Sequence, residues 1–179
     1  MHIAKTVIGL LLTVIPVAAV TREADPVVRE RQADMKAMSA VAKSLSEFFS
    51  GKKPYDAMVF KSQARSIGDL GGERLITHFA DVVTADGSQA RVEIGLERTK
   101  FDKLAHDLAI YARQVAAGAS DGDTMPSKMR MRPAEMTEGG PFARKRKEAP
   151  DVDSYSSEHA FHMMLQTCST CHAAFRVRR

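Results

Sequence analysis

The chain has 179 residues, 44% of them hydrophobic, with 6% aromatic, 10 Met and no Trp. This is the composition of Leu-, Met- and Ala-rich helices; it excludes wholesale disorder, a polytopic membrane protein and a β-sandwich, which draws on β-branched and aromatic residues. A formal charge of +4 is too small to point to nucleic acid, and 2 Cys are too few for a disulfide framework.

In chain order, Met1–Lys5 gives a short basic start, Val7–Val17 an apolar run, and Ala18-Ala19 small residues. These are the parts of a secretory signal peptide, with cleavage expected after Ala19. The run is shorter than the ~20 residues that span a bilayer, which disfavours an uncleaved anchor. Residues 1–19 are therefore expected to be removed, leaving 20–179 as one periplasmic domain with no membrane attachment.

From Pro26 to Phe49, the residues Val28, Met35, Ala42 and Phe49 recur every seven positions, with Met38 and Leu45 between them. That predicts a long helix with one narrow apolar stripe, stopped by Gly51–Pro54. A second segment opens at Pro54-Tyr55-Asp56, carries Phe60, Ala64, Ile67 and Gly71, and runs less regularly to Phe79. Gly68, Gly71 and Gly72 predict a break or kink in it. Residues 80–92 read as a connection. A third helix carries Phe101, Leu104, Leu108, Tyr111 and Val115 and ends at Gly118.

Residues 118–153 contain Gly118, Gly122, Pro126, Pro133, Gly139, Gly140, Pro141 and Pro150, so no long helix is expected there. Their acidic and basic residues balance, and the segment is expected to be a mobile, solvated insertion. The rival reading gives the basic cluster Arg144–Lys147 a role in docking a partner. A last helix is predicted from about Ser154 to Val177, with Phe161, Leu165, Cys168, Cys171, His172 and Phe175 on one side. Four amphipathic helices with mostly short links predict an all-α, antiparallel four-helix bundle.

The chemistry is concentrated in Cys168-Ser169-Thr170-Cys171-His172, the attachment signature of c-type haem. On a helix the two thiols lie near one another and can bond the two vinyl groups of one porphyrin, while His172 reaches the iron from the same side. A thioredoxin-like redox pair would need a preceding strand, and a helix is predicted there instead. A zinc site from His159, His162, Cys168 and Cys171 stays open, though it leaves His172 unexplained. Otherwise His159 and His162 read as polar positions near the haem edge or the bundle surface, and His78 and His106 as isolated surface residues. Met125, Met129, Met131 and Met136 could hold Cu(I), but without other ligands nearby they read as loop residues. Met163 and Met164 are expected to pack against the ring or the bundle. Neither a catalytic triad nor an oriented carboxylate pair is evident, so no enzyme activity of the protein's own is expected.

The sequence resembles the class II c-type cytochromes, meaning cytochrome c′ and its low-spin relatives. Four stretches carry the resemblance: Arg31-Gln32-Ala33-Asp34-Met35, Pro54-Tyr55-Asp56-Ala57, Glu93-Ile94 followed by Phe101, and Cys168-x-x-Cys171-His172-x-x-Phe175-Arg176. It departs at Gly95, where a Trp is common, and in the length of 118–153. The resemblance implies one haem c held by Cys168 and Cys171, with His172 as proximal iron ligand and Met35 on the other side of the iron. It implies haem-edge contacts for Arg31 and Arg176. If the Met35 thioether binds the iron, the protein is a six-coordinate, one-electron carrier. If that sulfur only packs, the protein is five-coordinate and binds small gases such as NO or CO. The sequence reading favours ligation by Met35. Redox partner proteins and the haem-attachment machinery are the implied partners, and pairing of two bundles into a homodimer stays open.

Overall fold

The computed structural model describes residues 25–81, 84–136 and 151–177. The expected signal peptide, the Arg144–Lys147 cluster and the last two arginines lie outside the described residues. The chain folds as α1 (Pro26–Phe49), α2 (Ala57–Leu70), α3 (Gly72–His78), α4 (Glu93–Leu96), α5 (Arg98–Ala117), α6 (Pro133–Met136) and α7 (Ser157–Phe175). The four long ones, α1, α2, α5 and α7, are the bundle. Among the described residues no helix is long and apolar enough to cross a membrane.

Three of the four long helices open on a side-chain cap. The Asp25 carboxylate accepts from the Val27 N–H at 2.9 Å, with Pro26 opening the helix behind it. Asp56 accepts from the Val59 N–H at 2.9 Å, and the Ser156 hydroxyl accepts from the His159 N–H at 3.2 Å. The break predicted in the second segment falls at Gly71, and Gly72 restarts the chain as α3 at φ +51°, a conformation that favours glycine.

α5 is the central helix and packs most closely against α7 and α2. Its buried face is Phe101, Ala105, Leu108, Ala109, Ala112, Val115 and Ala116, with Leu104 and Tyr111 only half-buried. The predicted stripe is therefore widened by alanines, because a helix with several neighbours needs small residues for close approach. Two apolar clusters result. The larger joins Leu45, Phe48, Phe49, Phe60, Ile67, Phe161 and Met164; the smaller joins Leu75, Phe79, Ile94, Phe101 and Phe175.

The described part of 118–153 is mostly exposed, as expected of a solvated insertion, but it is tied to the bundle at two buried residues, Met129 and Glu135. Met129 is fully buried in the larger cluster, with the Tyr55 hydroxyl 3.3 Å from its sulfur. That hydroxyl also donates to the Ser120 carbonyl at 3.0 Å. Arg130 donates to the Phe49 carbonyl and lies 3.3 Å from Glu158, whose carboxylate accepts from the Met131 N–H at 2.8 Å. Short turns stitched to the ends of α1 and α7 replace helical periodicity here, which is why hydrophobic spacing did not reveal these attachments.

Candidate functional site

At one end of the bundle α1 and α7 touch, with the Phe49 and Phe161 rings 5.2 Å apart. At the other end they separate, and a cleft of about 540 Å³ lies between them. α1 contributes Val28, Arg31, Met35 and Lys36 to it, and the end of α7 contributes Cys171, His172, Phe175 and Arg176. Its floor is a run of edge-on rings, Phe79 against Phe101 at 5.2 Å and Phe101 against Phe175 at 5.6 Å. An antiparallel bridge pairs Ala90 with Arg176, flanked by Arg91 N–H to the Phe175 carbonyl at 2.9 Å and Val177 N–H to the Gln89 carbonyl at 2.8 Å. These bonds fasten the end of α7 to the 89–91 segment. Just beyond that segment, on α4, Ile94 is buried while Gly95 is exposed, so no packing is built on the position where a Trp is common.

The structure brings Met35, Cys171, His172, Arg31 and Arg176 to this one cleft, with Cys168 one turn before Cys171 and half-buried against the larger cluster. The His172 ring is on the open side. Enclosure by the protein, and secondarily the Arg176 charge, lower its pKa, which favours the neutral imidazole that ligates metals. Burial raises both cysteine pKa values, that of Cys171 to about 11 with help from Cys168, so both are protonated thiols at neutral pH. Met35 is half-buried and packs against both apolar clusters.

Arg31 is only 5% exposed. Its Nε donates to the His78 carbonyl at 2.9 Å, a second nitrogen donates to the same oxygen, and the guanidinium lies 3.9 Å over the Phe79 ring. Burial lowers its pKa, opposed by the Asp25 charge. Arg176 donates twice to the Gln89 side-chain oxygen, at 3.0 and 2.8 Å.

The other histidines are placed differently from expectation. His159 is buried against Tyr155 at 4.3 Å between ring centres, and lies about 20 Å along α7 from His172 by the helical rise, so it is not at the haem edge. His162 is exposed. Among the described residues no three His, Cys, Asp or Glu side chains gather as a metal group, so the zinc reading has no site: its ligands are spread along α7. His78 is not a plain surface residue; its ring is largely covered, 3.6 Å from Glu30 and 3.8 Å from Asp34. His106 is half-exposed near Glu73, as expected of a surface histidine.

The cleft suits the group that the motif implies. It is apolar within, and its lining includes Arg31, Lys36 and Arg176 but no Asp or Glu. Its volume is in the usual range for cofactor pockets, and a flat apolar macrocycle bearing two carboxylates matches that distribution. Fold and site together define a helical-bundle protein with a cofactor-sized, apolar and cation-rimmed cleft between its first and last long helices.

Known proteins agree. The sequence profile of the family described as Cytochrome C′ matches residues 26–137. The chain belongs to the cytochrome c′ family, and it carries a covalently attached c-type haem. Cytochrome c prime from Shewanella frigidimarina is similar in structure, with a TM-score of 0.59 and 18% identity over 85% of this chain and 94% of that one. Cytochrome c′ from Rhodopseudomonas palustris gives 0.59 and 21% over 87% and 98%. A mutant cytochrome c prime from Alcaligenes xylosoxidans, solved as a nitric oxide complex, gives 0.59 and 20% over 85% and 94%. At these identities the likeness concerns the fold. No curated protein matches the chain.

Proposed function

We propose that the chain is an exported, mono-haem gas-binding protein, with Cys168 and Cys171 as the covalent anchors and His172 as the proximal iron ligand. When bound, the haem supplies an iron with a position open to a small diatomic ligand such as NO or CO. The protein's own residues do the rest. The last turn of α7, pinned by its bridge to 89–91, orients the His172 imidazole. Val28, Met35 and Phe79 wall the cleft with apolar surface, which excludes water and limits what enters.

The observation that carries this reading is the packing of Met35: its side chain is braced against both apolar clusters, as a wall is. Membership of the cytochrome c′ family and the nitric oxide complex of a structural relative support it. The order of the two readings taken from sequence is thereby reversed. The second reading, a one-electron carrier with Met35 as sixth ligand, is favoured by Met35 lining the same cleft as His172.

Absorption spectra of the oxidised and reduced protein decide between them. We expect a high-spin ferrous spectrum that shifts on adding CO. Low-spin bands that survive in wild type and vanish in Met35→Ala would establish the electron carrier instead. The absence of haem from the denatured chain would remove both.

A further inference from the structure

Phe79, a ring of the cleft floor, is held from outside the cleft. It follows the short helix α3, and a helix end leaves its last carbonyls short of donors. Arg98, the first residue of α5, reaches across to them. One terminal nitrogen donates to the Ile76 carbonyl at 2.9 Å and the other to the Phe79 carbonyl at 2.6 Å. Its Nε donates to the Asp102 carboxylate at 2.7 Å, one turn further along α5, which fixes the direction of the planar fork. The guanidinium also lies 5.7 Å from the centre of the Phe101 ring, which meets Phe79 edge-on at 5.2 Å. A cation in the first turn of a helix opposes that helix's dipole, and no acidic residue in the first turn of α5 offsets it. The neighbouring helix accounts for the position, since the same charge complements the C-terminus of α3. Arg98 does not line the cleft, whereas Phe79 and Phe101 do.

We infer that Arg98 is a positioning residue for ligand entry. By tying the Ile76 and Phe79 carbonyls to α5, it fixes the Phe79 ring and sets the room left for a small ligand. The inference rests on the gas-binding reading above. Arg31 holds the intervening His78 carbonyl, yet it lines the cleft itself, so its removal would mix two effects. Arg98 acts through the wall alone, which makes its role separable.

The test measures CO association with the reduced, haem-loaded protein after flash photolysis, beside covalent haem per chain and thermal midpoint. It compares wild type, Arg98→Gln, Phe79→Leu and the double variant. The Arg98 side chain is 32% exposed, so water can replace its bonds and Arg98→Gln is expected to fold. We expect full haem content and CO association about 2- to 20-fold faster in Arg98→Gln, the span over which residues that touch no ligand alter binding. Phe79→Leu should also speed association, and adding Arg98→Gln to it should change little further, because the two act through one ring. Wild-type association rates in Arg98→Gln, even with a lower midpoint, would overturn the inference, since a purely structural brace moves only the midpoint. An equally large effect in the Phe79→Leu background would overturn it as well. If Arg98→Gln does not fold, Arg98→Lys, which keeps the charge but not the fork, takes its place with the same expectations. A haem-loaded wild type that binds no CO would overturn the gas-binding reading and the inference with it, an outcome distinct from CO binding that the substitution leaves unchanged.

Discussion

Glu135 is 5% exposed on the four-residue helix α6, and four donors converge on its carboxylate. The Arg132 guanidinium and the Arg132 N–H approach at 2.7 Å, the Ser156 N–H at 2.8 Å and the Ser156 hydroxyl at 2.9 Å. Burial alone would raise this carboxyl's pKa; the Arg132 and Ser156 donors outweigh it and bring it down to about 2. A carboxylate depressed on folding adds stability above its unfolded pKa and loses it as pH falls toward the folded value. Wild type should therefore lose stability between about pH 4.5 and pH 2 through this group. Glu135→Gln should cost about 2–3 kcal/mol at pH 7 and flatten that acid limb, as followed by urea unfolding at a series of pH values. An equal acid limb in the variant would remove Glu135 from the account. None of this was legible in the sequence, because the Ser156 donors are 21 positions away and Glu135 sits in a stretch without periodicity. The Cys168–His172 string, by contrast, was legible outright, since its chemistry depends on residues adjacent in sequence.

Among the helices, the glycine pattern marked the junctions better than the stripes marked the buried faces. The break before α3 was readable at Gly71 and Gly72, and the stop of α5 at Gly118. The buried face of α7 was not. Its stripe was expected to be Phe161, Leu165, Cys168, Cys171, His172 and Phe175, whereas the packed side is Ala160, Phe161, Met164, Thr167 and Phe175. Cys171 and His172 line the cleft instead, while Leu165 and Cys168 are half-buried beside the larger cluster. At the far end, α5 and α7 meet so closely that a β-carbon on Gly118 would fall 1.9 Å from the Ser157 hydroxyl oxygen. Gly118→Ala must turn the Ser157 hydroxyl away and ease the contact with its β-carbon, which would lie 3.2 Å off, and we expect a loss of about 1–3 kcal/mol by the usual cost of overpacking, measurable as a lower denaturant midpoint. An unchanged midpoint would show that this end of the bundle is loosely joined.

On the scale of the molecule, the core is divided. The larger cluster closes the end where α1 meets α7, while the smaller one lines the floor of the cleft. The bundle architecture was readable from four apolar periodicities; the division was not, because it depends on where two helices diverge. A chain expressed with both cysteines replaced by serine, and free of haem, should open unevenly. Hydrogen exchange is expected to be faster in α3, α4 and the last turn of α7 than in α2 and the C-terminal half of α1. Uniform protection would mean that the two clusters fold as one unit.

The contact of Phe49 with Phe161 has a geometric consequence for the opposite end. Met35 lies 14 positions before Phe49, about 21 Å along α1 by the helical rise, so a small change of angle at the two rings becomes a larger displacement at the Met35 end of the helix. Ring volume at this contact is therefore expected to bear on the width of the gap facing His172, alongside the side chains that border it.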